Sequence, residues 1–257
     1  MIFDTHAHYD DETFDPDREE LLASLPSQGV SLVMNSCANP EHFSRTVELM
    51  EKYDYIYGAV GVHPDHADQM SEQVLEEIRR LSRHPKALAI GEIGLDYYWH
   101  KEPQEHALQK KWFRAQMELA REERKPFLVH SREAAQDTLE LVREMDAAHM
   151  YGGIIHCFSY SLEIAREYLN MGLFLGIGGV VTFKNGRKLK EVVSYAPLEQ
   201  LVLETDAPYL APVPYRGKRN HSGYLSGVAE TIAELKGISP EEVLEVTASN
   251  ARRLLLP

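Results

Sequence analysis

The sequence predicts an α/β fold, a TIM (β/α)8 barrel, built as a single domain over residues 1–257. Two observations lead to this expectation: eight short apolar segments alternate with longer helical patterns, and the length is close to the ~250 residues typical of such barrels. Alternation of this kind gives parallel strands with helical crossovers, and eight units close most naturally into a barrel. An open doubly wound sheet is the structural alternative, but no Gly-x-Gly-x-x-Gly follows an early strand, so its dinucleotide-binding version loses its main support.

The strands are predicted from eight segments of nearly continuous apolar character, which is typical of strands that are covered on both faces. In chain order these segments are residues 1–5, 30–36, 55–60, 87–92, 127–130, 153–156, 173–177 and 201–204.

Amphipathic helices are predicted between the strands because apolar residues recur at spacings of three and four. The clearest sets are Val74, Ile78 and Leu81; Leu108, Trp112, Ala115 and Leu119; and Val228, Ile232 and Leu235. A last helix is expected to begin after Ser239, because Pro240 and two acidic residues follow it, as they do at many helix starts.

Net charge narrows the possible functions only slightly. The value of −13 argues against the basic surface that is typical of proteins that bind nucleic acid without base specificity. It does not exclude a nuclease, because bound divalent cations add positive charge where a phosphate would lie.

The chain has the features expected of a cytoplasmic protein. Its two cysteines, Cys37 and Cys157, do not make a disulfide framework and are expected to be reduced. The amino terminus has no signal-peptide pattern, and the apolar stretch 173–181 is far shorter than the ~18 residues needed to cross a bilayer. We therefore expect a monomer that makes no membrane contact and needs no stable protein partner.

Catalytic groups in a barrel of this kind lie at the carboxyl ends of the strands and in the loops that follow them. Residues i and i+2 on a strand point to the same side, so a pair at this spacing can face the barrel mouth together, with Asp4 beneath the first pair as a supporting residue. The ligand-type side chains at predicted strand ends are His6 and His8, His63, Glu92, His130, His156, and Glu204 with Asp206.

A single histidine at a strand end is usually a surface or hydrogen-bonded residue, and none of these side chains would identify a site alone. Six of these ligand-type residues, placed at five separate strand ends, are already hard to produce by accident. Imidazole and carboxylate together suit Zn²⁺, Mn²⁺ or Mg²⁺. Four histidines and two carboxylates are enough for two ions that share a bridging carboxylate. The pattern therefore predicts a metal site.

The chain resembles a known family in seven segments that follow one another in the family's order. They are residues 3–8 (FDTHAH), 61–64 (GVHP), 89–96 (AIGEIGLD), 126–134 (PFLVHSREA), 155–159 (IHCFS), 203–210 (LETDAPYL) and 214–220 (PYRGKRN). On these residues the chain resembles the TatD-type metal-dependent deoxyribonucleases of the amidohydrolase superfamily, over nearly its whole length.

The resemblance implies a TIM barrel with two divalent metal ions per subunit, of a kind (Mg, Mn, Zn, Ni or Co) that the sequence does not specify. Many relatives that cleave amides or phosphotriesters bridge their metals with a carboxylated lysine, and Glu92 in that place favours the TatD-like branch. One ion is expected to be held by His6, His8 and Asp206, and the other by His130 and His156, with Glu92 as the bridge.

The implied reaction is attack on a phosphodiester by a water whose pKa the metal ions lower. Asp206 is the expected general base, Glu92 joins the ions, and Glu204 orients a ligand or acts as an auxiliary one. By resemblance, His63 faces the substrate phosphate.

A cationic loop after the last strand supplies further candidates for phosphate contact, Arg216 and Lys218. The family often continues after this loop with Glu-Pro-x-Tyr, whereas this chain has HSGY at residues 221–224. Tyr97, Tyr98 and Tyr209 are aromatic candidates for stacking on bases.

The leading functional expectation is a 3′–5′ exonuclease acting on DNA, from single-stranded or otherwise accessible 3′ ends. A metal-dependent deacylase or amidohydrolase, acting for example on D-aminoacyl-tRNA or a small ester or amide, stays open because the same chemistry attacks a carbonyl carbon. A non-catalytic metal-binding protein is a third alternative, and the intact ligand set argues against it.

Overall fold

The computed structural model describes residues 1–256 and forms a nearly closed barrel of eight parallel strands, so the predicted fold is confirmed. Neighbouring strands in the sheet follow one another in the sequence, from the first to the eighth. The strands are β1 (Ile2–Ala7), β2 (Val30–Cys37), β3 (Ile56–Val60), β4 (Ala87–Asp96), β5 (Phe127–Arg132), β6 (Gly153–Ile155), β7 (Phe174–Ile177) and β8 (Leu201–Leu203).

Helices connect the strands and cover the outside of the barrel. They are α1 (Arg18–Ser24), α2 (Phe43–Lys52), α3 (Glu72–Ser82), α4 (Pro103–Glu122), α5 (Ala135–Glu144), α6 (Leu162–Asn170), α7 (Arg187–Tyr195), α8 (Leu225–Lys236) and α9 (Pro240–Leu255). The predicted start of the last helix is present, since the Ser239 side chain accepts a hydrogen bond from the Glu242 amide. Within residues 1–256, no helix is both long and apolar enough to cross a membrane.

The interior of the barrel is packed at the end away from the site. Each strand contributes a buried side chain to one cluster there, and α9 contributes three more. The strand residues are Phe3, Met34, Ala59, Ala89, Leu128, Ile154, Phe174 and Val202, and those of α9 are Ala248, Ala251 and Leu255. A set drawn from all eight strands can pack together only inside the barrel. This end is therefore filled, and the carboxyl ends of the strands are left for the functional site.

The barrel closes through the segment that follows β8. The amide of Asp206 donates to the carbonyl of His6 (2.9 Å), and the amide of His8 donates to the carbonyl of Ala207 (2.7 Å). Closure therefore brings the His-x-His segment directly beside Asp206.

A buried carboxylate secures this closure. Asp4 accepts hydrogen bonds from the amide and hydroxyl of Thr205 (3.0 and 2.6 Å) and from the hydroxyl of Ser222 (2.7 Å). It also accepts one from the amide of His6 (3.2 Å). Burial raises the pKa of Asp4 to about 7 in spite of these hydrogen bonds. Asp4 thus supports the histidine pair through the backbone rather than through an imidazole ring.

Three strands extend two or more residues past their predicted ends, and the first of them, β1, continues past Thr5 to Ala7. Strand β4 continues four residues past Glu92, which therefore lies inside the strand, and β5 continues past His130 to Arg132. The pairing of β4 with β5 shifts register between Ile90 and Ile93, so Glu92 stands at an irregularity within the strand. The sequence prediction ended β4 and β5 too early because a polar residue was taken as the end of each.

Helix α4 holds two of the loops around the site by buried glutamine side chains. Gln116 accepts from the amide of Val62 (2.8 Å) and donates to its carbonyl (3.1 Å). Gln109 makes the same pair of contacts with Asp96 (3.0 and 3.2 Å). Both side chains are buried, so they satisfy backbone groups that water does not reach.

Replacing Gln116 with leucine should lower the free energy of unfolding by about 1–3 kcal/mol, since the amide and carbonyl of Val62 lose their buried partner. The melting temperature should fall by roughly 2–4 °C for each kcal/mol of lost stability in a chain of this size. Gln104→Leu is the matched control, because Gln104 is exposed on the same helix. Equal melting temperatures for the two variants would contradict the role given to Gln116.

Candidate metal centre

A cavity of about 710 Å³ opens at the carboxyl ends of the strands. The predicted site residues that line it are His8, His63, Glu92, His130, His156 and Asp206. His6 lies just behind this surface and is only 1% exposed. The structure thus brings together all six side chains that the sequence proposes as metal ligands.

The Glu92 carboxylate occupies the centre of the site and is almost fully buried. Its Oε1 lies 2.9 Å from Nδ1 of His130 and 3.2 Å from Nε2 of His156. Its Oε2 lies 3.1 Å from Nε2 of His6 and 3.5 Å from Nε2 of His8. The two oxygens of one carboxylate therefore face two separate pairs of imidazoles.

Asp206 joins the pair on the Oε2 side. Its Oδ1 lies 3.3 Å from Nε2 of His8 and 4.0 Å from Nε2 of His6. Asp206 has a φ of 58°, in the left-handed region, so the chain turns sharply after β8 and directs this carboxylate into the cavity.

Glu204 does not share a side with Asp206, and the expectation from their i, i+2 spacing is wrong. The spacing rule holds for extended chain, and the left-handed backbone at Asp206 breaks it. Glu204 is fully buried, its Oε1 lies 3.1 Å from Nδ1 of His156, and it accepts a hydrogen bond from the Cys157 amide. It therefore contacts the outer nitrogen of a candidate ligand rather than the cavity.

The outer nitrogens of the four candidate histidine ligands all face oxygen atoms. Nδ1 of His8 lies 2.7 Å from the Ser36 carbonyl, which only accepts, so this nitrogen carries a proton. His130 Nε2 stands in the same relation to Asp96 Oδ2 (3.2 Å), a carboxylate oxygen that also only accepts. His6 Nδ1 lies 3.2 Å from the Ser36 hydroxyl, which can donate or accept, and His156 Nδ1 lies 3.1 Å from Glu204 Oε1 without hydrogen-bonding geometry. A proton on the outer nitrogen leaves the lone pair of the inner nitrogen for a cation.

His63 has the opposite arrangement. Its Nδ1 accepts a hydrogen bond from the Asp65 amide (3.1 Å), so this nitrogen holds no proton. Burial and the neighbouring charge of His130 hold the pKa of His63 well below its usual value. The neutral ring must then carry its proton on Nε2, which lies 3.6 Å from Oε1 of Glu92. His63 thus presents a hydrogen-bond donor to the site rather than a lone pair.

The charges of the site fit bound cations. Burial would raise the pKa of Glu92, but the charges of neighbouring imidazoles, that of His156 first among them, and a hydrogen bond with His130 hold it well below its usual value. The pKa of Asp206 is also lowered against the effect of burial, chiefly by its hydrogen bond with His8 and by the charge of His156. Two ionised carboxylates in a buried place need compensation. Imidazole nitrogens with carboxylate oxygens are donors that divalent metals accept.

Asp96 is a site residue that the sequence prediction missed. It lies at the end of β4, faces His130 with Oδ2, and accepts hydrogen bonds from the amides of Tyr98 (2.8 Å) and Trp99 (3.1 Å) with Oδ1. These hydrogen bonds and the charge of His130 lower its pKa to about 2 against the effect of burial. The available signal was its position as the first polar residue of β4 after Glu92.

The cationic loop lies outside the cavity. The Arg216 guanidinium lies 4.0 Å from the ring centre of Phe183, and the Lys218 ammonium lies 5.8 Å from that of Tyr215. Neither cation is among the residues of 1–256 that line the cavity. Contact of this loop with phosphate stays a prediction, and it requires a substrate that extends beyond the cavity mouth.

The barrel, its buried central carboxylate and the imidazoles around it are typical of metal-dependent hydrolases, and comparisons with known proteins identify the family. The family model described as TatD related DNase matches residues 3–256, and the chain belongs to this family.

Relatives and solved structures agree with this assignment. The chain is 45% identical to the uncharacterized metal-dependent hydrolase YabD of Bacillus subtilis, with 99% of this chain and 98% of that protein covered. It is 36% identical to YcfH of Escherichia coli, described in the same words, over 99% of this chain and 95% of that protein. The crystal structure of YjjV, a TatD homologue from Escherichia coli, superimposes with a TM-score of 0.92 at 29% identity and covers 100% of this chain and 98% of its own.

Replacing His63 with alanine should leave the metal content of the purified protein unchanged, because the ring directs an N–H group and no lone pair into the site. Replacing His130 with alanine should lower it, because a candidate ligand is removed. The number of metal ions per chain is measured in both variants by inductively coupled plasma mass spectrometry after the same dialysis. An equal loss in both variants would show that His63 is a ligand.

Proposed function

We propose that this hydrolase is a deoxyribonuclease that removes nucleotides from single-stranded or frayed 3′ ends, as a 3′–5′ exonuclease. The observation that carries the proposal is the division of the Glu92 oxygens between two pairs of imidazoles. A carboxylate placed in this way suits two metal ions side by side, and paired ions are common in phosphodiester hydrolysis. The description of the matched family as DNase supports the same substrate.

Two divalent ions would be held by the residues already described. His6, His8 and Asp206 would hold one, His130 and His156 would hold the other, and Glu92 would contact both. When bound, such ions lower the pKa of a water and offset the charge of a phosphate. The choice among Mg, Mn, Zn, Ni and Co depends on availability, because these donors accept several metals.

Asp206 would transfer the proton of the reaction, and His63 would stabilise charge on the phosphate. Asp206, which faces the cavity and is ionised, would accept the proton of the attacking water at Oδ1. The new bond forms between that water oxygen and phosphorus, and the bond from phosphorus to the departing sugar oxygen breaks. This oxygen takes up the proton that Asp206 accepted, directly or through solvent. His63 would donate a hydrogen bond from Nε2 to a non-bridging phosphate oxygen, which stabilises the charge that develops there.

The shape of the cavity favours an end over an intact duplex. Its volume of about 710 Å³ lies in the range of pockets that enclose one small ligand, and the Glu92 carboxylate lies at its base. A terminal nucleotide can reach this depth, whereas a base pair inside a duplex cannot.

The test is hydrolysis of end-labelled single-stranded DNA by protein loaded with Mg²⁺ or Mn²⁺, with EDTA as control. Shortening from the 3′ end is expected. Asp206→Asn should reduce the rate by about 10²–10⁴-fold, as loss of a general base does, whereas Asp54→Asn, at an exposed position, should not. A D-aminoacyl-tRNA tested in parallel separates the deacylase alternative. Intact DNA with a cleaved ester would overturn the proposal.

A further inference from the structure

One wall of the cavity carries an arginine stacked on two aromatic rings, apart from the residues that would hold metal. Arg132 is the last residue of β5, and its guanidinium carbon lies 3.9 Å from the ring centre of Tyr98 and 5.6 Å from that of Trp99. The two rings meet edge to face, with 4.7 Å between their centres. We refer to these three residues, Tyr98, Trp99 and Arg132, as the arginine platform.

Arg132 is the sole arginine or lysine among the cavity-lining residues of 1–256. Its guanidinium has no hydrogen-bond or ion-pair partner in that part of the chain, whereas Arg219, for example, is paired with Asp17 at 2.6 Å. Stacking occupies the face of a guanidinium and leaves its N–H groups free at the edge. The cavity is otherwise rich in carboxylates, so Arg132 is the permanent cation that a phosphate entering it would meet.

The platform is fixed to the metal centre by Asp96. The amides of Tyr98 and Trp99 both donate to Oδ1 of this carboxylate, and its Oδ2 faces Nε2 of His130. The amide of Tyr97 also donates to the carbonyl of Arg132 (2.9 Å). The position of the rings relative to the reaction centre is therefore set by short hydrogen bonds rather than by a free loop.

The aromatic surface of the platform is open. Trp99 is 64% exposed and Tyr98 is 43% exposed, and Trp99 lines the cavity together with Arg132. An exposed indole beside an unpaired guanidinium matches the two parts of a nucleotide, since a base stacks on an aromatic face and a phosphate takes bidentate hydrogen bonds from arginine.

We propose that the arginine platform binds an unpaired nucleotide next to the scissile phosphodiester, with its base on Trp99 and its phosphate on Arg132. The proposal rests on the proposed function and names the form of its substrate. Stacking needs a base whose face is free, so single-stranded ends are selected. Every base offers such a face, so the selection does not depend on sequence.

Trp99 itself reports on binding. The chain has two tryptophans, and the other, Trp112, is 5% exposed in α4. In a Trp112→Phe background, the tryptophan fluorescence of metal-loaded protein, excited selectively over that of the tyrosines, therefore comes from Trp99 alone. The probe is a short single-stranded oligodeoxynucleotide with phosphorothioate linkages at its 3′ end, which keep the charge and slow hydrolysis.

Saturable quenching of Trp99 fluorescence by this probe is expected. An oligonucleotide of equal length and charge with abasic sites at its 3′ end should bind about tenfold more weakly, since a stacked base is lost. Arg132→Gln should also weaken binding about tenfold. It should reduce by about one the number of counterions released on binding, which is read from the slope of affinity against salt concentration. Arg166→Gln is the matched control, because Arg166 stacks on Tyr195 at 4.7 Å outside the cavity and should change neither value.

The outcomes separate this inference from the proposed function. Hydrolysis of DNA without quenching, or equal affinity for the abasic probe, would overturn the platform and leave the nuclease standing. Quenching with base dependence and no hydrolysis would support the platform and overturn the nuclease. An equal loss of affinity in Arg132→Gln and Arg166→Gln would overturn the phosphate contact.

Discussion

The site depends on one buried carboxylate that is surrounded by imidazoles. Glu92 lies within β4, where water cannot compensate its charge. Its Oε2 faces His6 and His8, and its Oε1 faces His130 and His156, with His63 slightly further away. An isolated ionised carboxylate in such a place would be strongly destabilising. Its neighbours therefore have to supply positive charge, either as protonated imidazoles or as cations that the imidazoles hold. The second arrangement joins stability to function, because the same ions would activate a water.

Contacts to the outer nitrogen of each imidazole determine which nitrogen faces this centre and whether it carries a proton. Ser36, Asp96 and Glu204 face the outer nitrogens of the four candidate ligands, whereas a backbone amide donates to His63. When the rings are neutral, these contacts leave a lone pair facing the centre on His8 and His130 and an N–H group on His63. Outer contacts of this kind are usually as important to a metal site as the ligands themselves.

Strand–helix alternation was enough to predict the barrel, and the ligand-type residues at several strand ends were enough to predict the place of its site, because both follow from local pattern. Asp96 was missed, since its role depends on β4 continuing beyond an irregularity at Glu92. Glu204 was placed on the wrong side because the prediction assumed extended chain at Asp206. The stacking of Arg132 on Tyr98 joins the end of β5 to the segment after β4, and no local pattern carries information of that kind.

The most direct test of the bridging role of Glu92 is anomalous diffraction from crystals of the protein loaded with Mn²⁺. Two peaks about 3.5–4 Å apart are expected, one beside Oε2 near His6 and His8 and the other beside Oε1 near His130 and His156. A single peak, or two peaks of which only one touches Glu92, would contradict the account.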